Sequence, residues 1–418
     1  MALSKIRDIF GIEYLKPKKE QAKNGSNLFD TDLSFNGHET QHSTHALHPY
    51  VAAINPPLVK ALINTYIPEK EKVLDPYCGG GGVLIECLLS NRQCAGGEIN
   101  PLGVIISRAK TTYISKELSN EALNKILKLA NELKPTTTID YDKNLSFWYR
   151  QEDLLDLMIL SKAKQEITYK DNLLKPLFQT ILSATARDVM LTYRGEVRLR
   201  KLQGKDLEKF KPDTFAVFRK RANLAIERVS NLPKNIKADV ALRDIRKLPF
   251  KDNEFYGIIC SPPYADDKNG VGYFQFSKNM LRLLGFTAEE IKKDKELFHG
   301  AITKGKRPPK SASLSHSLKN VEKNNSVKYQ EAVAFYHDYA DGLREMARVT
   351  RGKIIIVVGN RVLARTAFDN AAITVDIFNN LGVKLEHHYT RELKKKRIPN
   401  LGGDGGGISL EHILVFSK

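Results

Sequence analysis

The stretch KVLDPYCGGGGVLIECLL, residues 72–89, decides the fold. It opens on a short apolar run that ends at Asp75, passes through four glycines at 79–82, and ends in an apolar segment of helical length. Glycine permits positive φ and close approach of a ligand to the backbone, and a helix start offers free N–H groups. A strand, a glycine turn and a helix in this order are typical of the ligand-binding edge of an α/β sheet, although a tight turn explains a lone glycine cluster equally well.

The next segment, CAGGEINP at 94–101, predicts a second strand that ends in Glu98. A carboxylate at this position can accept hydrogen bonds from both hydroxyls of a ribose. The glycine loop does not match GxxxxGK[ST], which disfavours a nucleoside triphosphate, and Leu84 stands where GxGxxG requires its third glycine. Because Asp75 opens the loop and can hold a cationic methionyl group, we predict S-adenosylmethionine rather than NAD as the cofactor.

A second turn, in FYGIICSPPY at 255–264, ends another apolar run. Pro262 and Pro263 have no N–H to donate to a sheet, so the strand must stop before them. The turn presents the Ser261 hydroxyl and the Pro262 carbonyl as acceptors, beside the aromatic ring of Tyr264. An exocyclic amino group needs such acceptors, because its lone pair is otherwise delocalised into the base, and Tyr264 can stack on that base for roughly 1–3 kcal/mol. A strand-ending turn with a packing tyrosine is the alternative interpretation.

Together these segments resemble the SPPY-type amino-methyltransferases that use S-adenosylmethionine, chiefly the N4-cytosine DNA methyltransferases of restriction–modification systems. The resemblance covers about 45–115 and 236–418 and depends on the following five segments: HALHPYVAAINPPLVKALI (45–63), VLDPYCGGGGVLIE (73–86), GGEINP (96–101), LRDIRKLPF (242–250) and IICSPPYAD (258–266). The chain departs from the family twice. Gly81-Gly82 replaces the usual Gly-Thr, and the cofactor loop precedes the catalytic motif, whereas many SPPY enzymes have the reverse order.

The resemblance implies a catalytic role for Ser261, Pro262, Pro263 and Tyr264, and contact between Asp244 and the adenine of the cofactor. The full set of expected cofactor contacts is His48, Pro49, Tyr50, Asp75, Tyr77, Cys78, Gly79, Gly81, Glu98, Ile99, Asp244, Ile245 and Ser261. Neither a metal ion nor a covalent intermediate is expected.

The expected fold is a Rossmann-like class I methyltransferase sheet, mostly parallel with one antiparallel strand and an inserted helical lobe. We divide the chain into an N-terminal extension (1–44), the first part of the methyltransferase domain (45–116), a helical insert that carries target recognition (117–235), and the second part of the domain (236–418). Within the last part, the polar and basic residues 266–328 predict a mobile loop.

Lysine and arginine number 66 against 48 acidic residues, a net charge of +18, which favours a polyanionic partner such as duplex DNA. The predicted nucleic-acid contacts are Arg194, Arg198, Arg200, Lys304, Lys306, Arg307, Lys310, Lys394, Lys395, Lys396 and Arg397. A cognate restriction endonuclease would act separately. No membrane partner is expected, and the sequence shows no signal-peptide pattern, so we expect a prokaryotic cytoplasmic protein.

Three alternatives remain open at this level: methylation of adenine N6, methylation of tRNA or rRNA, and a DNA-binding protein with a vestigial cofactor site. Serine at position 261, where aspartate is the other option, favours cytosine by resemblance only.

Overall fold

The computed structural model describes residues 4–7, 13–16, 28, 32–51, 53–134, 143–193, 199–265, 273–393 and 410–418. The strands are β1 Ser4–Arg7, β2 Glu13–Lys16, β3 Val73–Asp75, β4 Cys94–Glu98, β5 Ala238–Leu242, β6 Phe255–Cys260, β7 Thr350–Gly359, β8 Arg361–Leu363, β9 Thr366–Phe368, β10 Lys384–Glu392 and β11 Leu410–Ser417. The helices are α1 Pro56–Tyr66, α2 Gly82–Leu89, α3 Pro101–Thr111, α4 Lys116–Leu133, α5 Lys143–Ser146, α6 Gln151–Thr168, α7 Leu174–Val189, α8 Gly204–Lys209, α9 Thr214–Val229, α10 Tyr273–Leu283, α11 Ala288–Glu296, α12 Ala312–Asn324, α13 Ser326–Val349 and α14 Asn370–Asn380.

The central sheet has seven strands in the order β10-β11-β7-β6-β3-β4-β5. Strands β5, β4, β3, β6 and β7 pair in parallel, whereas β11 lies antiparallel to both of its neighbours. The predicted fold class is confirmed: the sheet is mostly parallel with a single antiparallel strand among its seven, and helices connect its parallel strands. The carboxyl ends of β3, β4, β5 and β6 therefore meet at one edge, as in other doubly wound sheets.

Alternating side chains divide the sheet into two packed faces. Ile258, Ile354 and Ile356 are fully buried on one face, in the cluster that includes α12, α13 and α14. Ile259 and Ile355 point to the other face and join α1 and α2. Because side chains along a strand alternate with a period of two, the continuous apolar runs seen in the sequence correspond to strands covered on both sides.

A third cluster holds the helical region between β4 and β5 together. Its buried side chains come mainly from α3, α4, α6, α7 and α9, and α10 and α11 add Met280, Leu283 and Ile291. The helices α5 to α9 fall inside the range 117–235 that we assigned to the insert, and α4 begins one residue before it, at Lys116. These helices pack on the sheet through α3. Among the helices that the structure describes, none is both long and apolar enough to cross a bilayer.

The loop prediction for 266–328 is wrong over most of its length, because α10, α11 and α12 lie within it. The polar and basic composition of this segment leads to a loop prediction although its apolar residues have helical spacing. In α12, Leu314, Leu318 and Val321 follow helical spacing and are buried, and the Ser311 hydroxyl caps the helix by accepting the amide of Leu314. Capping serines and surface lysines are compatible with a helix as well as with a loop. Residues 266–272 lie outside the described part of the chain.

Candidate functional site

A narrow cleft lies at the carboxyl edge of the sheet. Residues that follow three adjacent strands line it: Tyr77 after β3, Glu98 and Ile99 at the end of β4, and Asp244 and Ile245 after β5. These five are among the predicted cofactor residues. Leu297 and His299, which follow α11, close the remaining side.

The glycine loop has the conformation that its composition suggests. Gly79 and Gly81 have φ of +49° and +82°, and Gly81 is the N-cap of α2. A Cβ on Gly79 would lie 2.9 Å from the ring of Tyr50, and one on Gly81 would lie 2.8 Å from the Ser107 hydroxyl. Both positions therefore require glycine for conformation and for space. Cys78 is buried beneath the loop, with its sulfur 3.7 Å from the same hydroxyl.

Backbone amides fix the carboxylate of Glu98 at the mouth of this loop. One oxygen accepts the N–H of Gly79 and the other accepts the N–H of Asn100, each at 2.8 Å. Burial raises the pKa of Glu98, and these two hydrogen bonds act in the opposite direction. Each carboxylate oxygen has a second lone pair, so Glu98 is held in one orientation and still has acceptors for a ligand with two hydroxyls.

Asp75 is the most deeply buried acid of the site. Its side chain accepts the N–H of Tyr77 at 3.1 Å, and it is 3% exposed. Burial raises the pKa of Asp75 to about 8, despite the hydrogen bond from Tyr77. A buried carboxyl group of this kind is stabilised in its charged form when a cation binds beside it.

Asp244 lines the cleft but is bound by Arg246, a partner that the sequence did not indicate. The Arg246 guanidinium contacts both carboxylate oxygens of Asp244, the closest at 2.6 Å, and also reaches Asp338 of α13 at 3.1 Å. Burial opposes ionisation of Asp244, but the side-chain and backbone hydrogen bonds from Arg246 hold its pKa below its usual value. To accept a hydrogen bond from an adenine amino group, Asp244 must use carboxylate lone pairs that do not already bind Arg246.

His299 is a site residue that sequence reasoning missed. Its Nε2 lies 2.9 Å from the hydroxyl of Tyr77, and its Nδ1 is buried without a partner among the described residues. Burial lowers the pKa of His299 to about 4, so the ring is neutral at physiological pH. No motif surrounds His299 in the sequence, and only the tertiary structure brings it to the cleft.

The segment 45–50, which carries three of the predicted cofactor residues, packs beside the glycine loop. Tyr50 lies on the loop, and Pro49 is exposed. His48 is buried, and its two ring nitrogens lie 2.7 Å from the carbonyl of Pro49 and 2.9 Å from the hydroxyl of Ser183. Both ring nitrogens thus contact protein atoms, and His48 packs against α7. The buried Lys110 fixes the segment by donating to the carbonyl of His48 at 2.7 Å.

The Ser-Pro-Pro-Tyr turn continues from β6 at the same edge of the sheet. Pro262 is buried, whereas Ser261, Pro263 and Tyr264 are half-buried. The hydroxyls of Ser261 and Tyr264 lie 3.0 Å apart. The carbonyl of Tyr264 accepts the side-chain amide of Asn370 at 3.3 Å, which anchors the turn to the start of α14.

The predicted nucleic-acid contacts fall into three groups. Arg194, Arg198 and Lys394–Arg397 lie outside the described residues. Arg200 stacks on the ring of Tyr193 at 3.9 Å in the helical region. Lys304, Arg307 and Lys310 are exposed, but Lys306 forms an ion pair with the buried Asp338 at 2.6 Å. A phosphate would have to compete with Asp338 for Lys306. In the structure, Lys306 therefore stabilises the buried Asp338.

The sequence is similar to a DNA methylase family model and to two type II methyltransferases. Residues 5–124 match the DNA methylase family model for N6 and N4 methylases. The chain is 27% identical over 446 aligned positions to the type II methyltransferase M.MvaI of Kocuria varians, covering 97% of this chain and 96% of that protein. It is 27% identical over 134 residues to the type II methyltransferase M.MjaII of Methanocaldococcus jannaschii, covering 31% of this chain and 23% of that protein.

Two solved structures are similar to the chain at low sequence identity. TrmN from Thermus thermophilus is 10% identical with a TM-score of 0.29, over 87% of this chain and 49% of that one. A SAM-dependent methyltransferase from Methanosarcina mazei is 9% identical with a TM-score of 0.32, over 85% of this chain and 96% of that one.

The strand order, the glycine loop followed by Glu98, and the Ser-Pro-Pro-Tyr turn at one edge define a methyltransferase of the Rossmann-like class. The matches to the family model and to M.MvaI confirm the predicted resemblance to SPPY-type enzymes. The chain is thus similar to the DNA methylase family model over residues 5–124 and to the type II methyltransferase M.MvaI over nearly its whole length.

Proposed function

We propose that this chain transfers a methyl group from S-adenosylmethionine to the N4 amino group of cytosine in duplex DNA, as the modification enzyme of a restriction–modification system. The observation that carries the proposal is the Ser261–Tyr264 turn at the carboxyl end of β6, next to the strand whose following loop lines the cofactor cleft. The name of M.MvaI, a type II methyltransferase, supports the restriction–modification setting. A separate endonuclease would then recognise the same DNA sequence.

The cleft fits the proposed cofactor in its donor and acceptor groups. Glu98 would hold the ribose, Asp244 and Ile245 would lie against the adenine, and Asp75 would face the cationic methionyl end. Bound S-adenosylmethionine supplies an electrophilic methyl group on a sulfonium.

The catalytic turn would bind the target base after the base has left the duplex. Tyr264 would stack on its ring, and Ser261 and the carbonyl of Pro262 would accept hydrogen bonds from its amino group. These bonds favour a pyramidal nitrogen whose lone pair points at the methyl donor. The amino nitrogen would gain the methyl group and release a proton to water, with S-adenosylhomocysteine as the other product. No covalent intermediate on the protein is needed.

Methylation of adenine N6 is the competing reaction, because both targets are amino groups conjugated to a ring. The test is to express the chain in a host without DNA methylation and to sequence the DNA by a method that separates N4-methylcytosine from N6-methyladenine. N4-methylcytosine at one short sequence supports the proposal, N6-methyladenine shows the competing reaction, and methylated RNA with unmodified DNA would refute both.

Replacing Glu98 by alanine is expected to weaken S-adenosylmethionine binding by roughly 1.5–3 kcal/mol, the range for a hydrogen bond to a charged group. The reason is that Glu98 is already oriented by two backbone amides, so a ligand gains its acceptors without reordering the side chain. Isothermal titration calorimetry measures the change, with the exposed Glu69→Ala as the matched control. Equal affinities for both variants would remove Glu98 from the cofactor site.

Cofactor binding is expected to release protons near neutral pH. With a pKa of about 8, Asp75 is largely protonated at pH 7 in the free protein, and a bound cation favours its carboxylate. Affinity should therefore rise with pH up to about 8 and level off above it. Calorimetry at pH 7 in buffers of different ionisation enthalpy measures the release, which Asp75→Asn should abolish. Identical heats for the wild type in all buffers would contradict the role of Asp75.

The exposed cations Lys304, Arg307 and Lys310 are expected to contact phosphate without reading sequence. Replacing all three by glutamine should weaken binding to any duplex and lower the salt slope by roughly 0.9 for each phosphate that the variant no longer neutralises. The matched control replaces Lys70, Lys251 and Lys384, which are exposed near the amino ends of β3, β6 and β10 at the opposite edge of the sheet. Salt-dependent binding and sequencing of the methylated sites provide the readouts, and methylation of new sequences would show that this segment reads bases.

A further inference from the structure

Glu411 lies beside the catalytic turn although 147 positions separate it from Tyr264. It is the second residue of β11, whose antiparallel direction places its first residues at the carboxyl edge of the sheet. There it pairs across the strands with Arg391 of β10 and with Gly359 of β7. The hydroxyl of Tyr264 donates to the Glu411 carboxylate at 3.4 Å.

Arg391 holds this carboxylate in place. Its Nε and Nη2 lie 2.7 Å and 2.6 Å from one oxygen of Glu411. The side chains of Arg391 and Glu411 are only 8% and 14% exposed. A charge-assisted pair that is mostly shielded from water keeps its geometry better than an exposed pair. The other oxygen of Glu411 is the one that accepts from Tyr264.

The direction of the hydrogen bonds follows from this arrangement. A carboxylate only accepts, so Tyr264 must donate its single hydroxyl proton to Glu411. The Tyr264 oxygen, 3.0 Å from the Ser261 oxygen, can then only accept from Ser261. The Ser261 proton is therefore used inside the protein, and only lone pairs of Ser261 remain for a group on its other side.

We propose that Glu411 is a positioning residue for methyl transfer: it sets the direction of the Tyr264 and Ser261 hydroxyls, so that Ser261 presents lone pairs to the amino group of the target base. This inference rests on the proposed function, because it concerns the acceptor that the amino group needs. Without the carboxylate, the Ser261 hydroxyl is free to turn its proton towards the base. Its O–H and the amino N–H of the base would then both be donors, and no hydrogen bond could form between them.

The test compares methyl transfer in the full-length wild type, Glu411→Gln, Tyr264→Phe and the double variant. Single-turnover transfer of tritiated methyl from saturating S-adenosylmethionine to duplex DNA gives the rate, and calorimetry and DNA titration give the two affinities. Glu411→Gln keeps an oxygen for Arg391 but supplies an amide that can donate to Tyr264. Its rate should fall about tenfold, the effect of one hydrogen bond, with both affinities unchanged.

A structural role and a positioning role of Glu411 predict different rates of methyl transfer for the double variant. If Glu411 acts through the Tyr264 hydroxyl, Tyr264→Phe should also be about tenfold slower and the double variant no slower than either single variant. Independent structural damage would multiply the two losses. Glu386→Gln serves as the matched control and should keep the wild-type rate. Glu386 lies on the neighbouring strand β10, near its amino end and therefore far from the catalytic turn.

Each result decides the inference. If Glu411→Gln does not fold by circular dichroism, Tyr264→Phe still tests the hydroxyl chain, since it leaves the pair of Arg391 and Glu411 in place. Wild-type rates in Glu411→Gln or in Tyr264→Phe, or multiplied losses in the double variant, would overturn the inference and leave the proposed function standing. A wild-type chain that transfers no methyl group to DNA would overturn the proposed function, and the inference with it.

Discussion

Replacing Tyr264 by alanine is expected to slow methyl transfer by about two to three orders of magnitude. Stacking of a base on an aromatic side chain contributes roughly 1–3 kcal/mol, and the lost hydroxyl removes a hydrogen bond worth about 1 kcal/mol. Tyr264 is half-buried beside β6, with its hydroxyl 3.0 Å from Ser261. The variant therefore loses the platform for the base and disturbs the acceptor for its amino group.

Single-turnover kinetics with saturating cofactor measure this loss, and calorimetry should find the affinity for S-adenosylmethionine unchanged. Ser261→Ala should show a smaller effect, about tenfold, because it loses one hydrogen bond and keeps the stacking ring. Tyr169→Ala is the matched control, because Tyr169 is 61% exposed at the end of α6. A Tyr264→Ala variant as fast as this control would show that Tyr264 does not capture the base.

Replacing Asp338 by alanine is expected to lower the free energy of unfolding by about 3–5 kcal/mol, the usual cost of removing one partner from a buried ion pair. Asp338 is fully buried in α13 and accepts hydrogen bonds from Lys306 at 2.6 Å, from the amide of Gly300 at 3.0 Å and from Arg246 at 3.1 Å. The variant would remove the carboxylate that pairs with Lys306 and would leave Arg246 with Asp244 alone among the carboxylates of the described residues. It should also weaken cofactor binding, because Arg246 orients Asp244 in the cleft.

Urea unfolding measures the stability change, with Asp341→Ala as the control on the same helix. Asp341 pairs with Arg344, whose side chain is 62% exposed, and exposed pairs contribute about 0–1 kcal/mol. Burial alone would raise the pKa of Asp338, but hydrogen bonds from Lys306 and Gly300 hold it below its usual value. Its stabilising effect is therefore complete at neutral pH and is lost on acidification through that lowered pKa. Equal losses for the two alanine variants would show that the Asp338 network does not stabilise the fold.

The sequence by itself determined the sheet and the position of its reactive edge. Glycines before an apolar helix, an acid at the end of the next strand, and paired prolines after β6 are local signals, because each depends on backbone conformation within a few residues. Parallel strands then bring their carboxyl ends to one edge, so Asp75, Glu98, Asp244 and Ser261 had to gather there. The apolar runs of β6 and β7 predicted burial on both faces for the same reason.

Only the tertiary structure decided which side chains support these residues. His299, Asp338 and Glu411 reach the site from segments far from its motifs, and nothing in their neighbourhood distinguishes them from solvated polar residues. His48 was close to the motif in sequence, yet its ring binds Ser183 of α7. The helices of 273–324 were hidden because serine and lysine are common both in loops and on helix surfaces. A local sequence pattern specifies backbone conformation and the side of an element that faces the core. A buried charge, in contrast, pairs with whichever segment the fold brings next to it. Such pairing between distant segments leaves no periodic signal in the sequence.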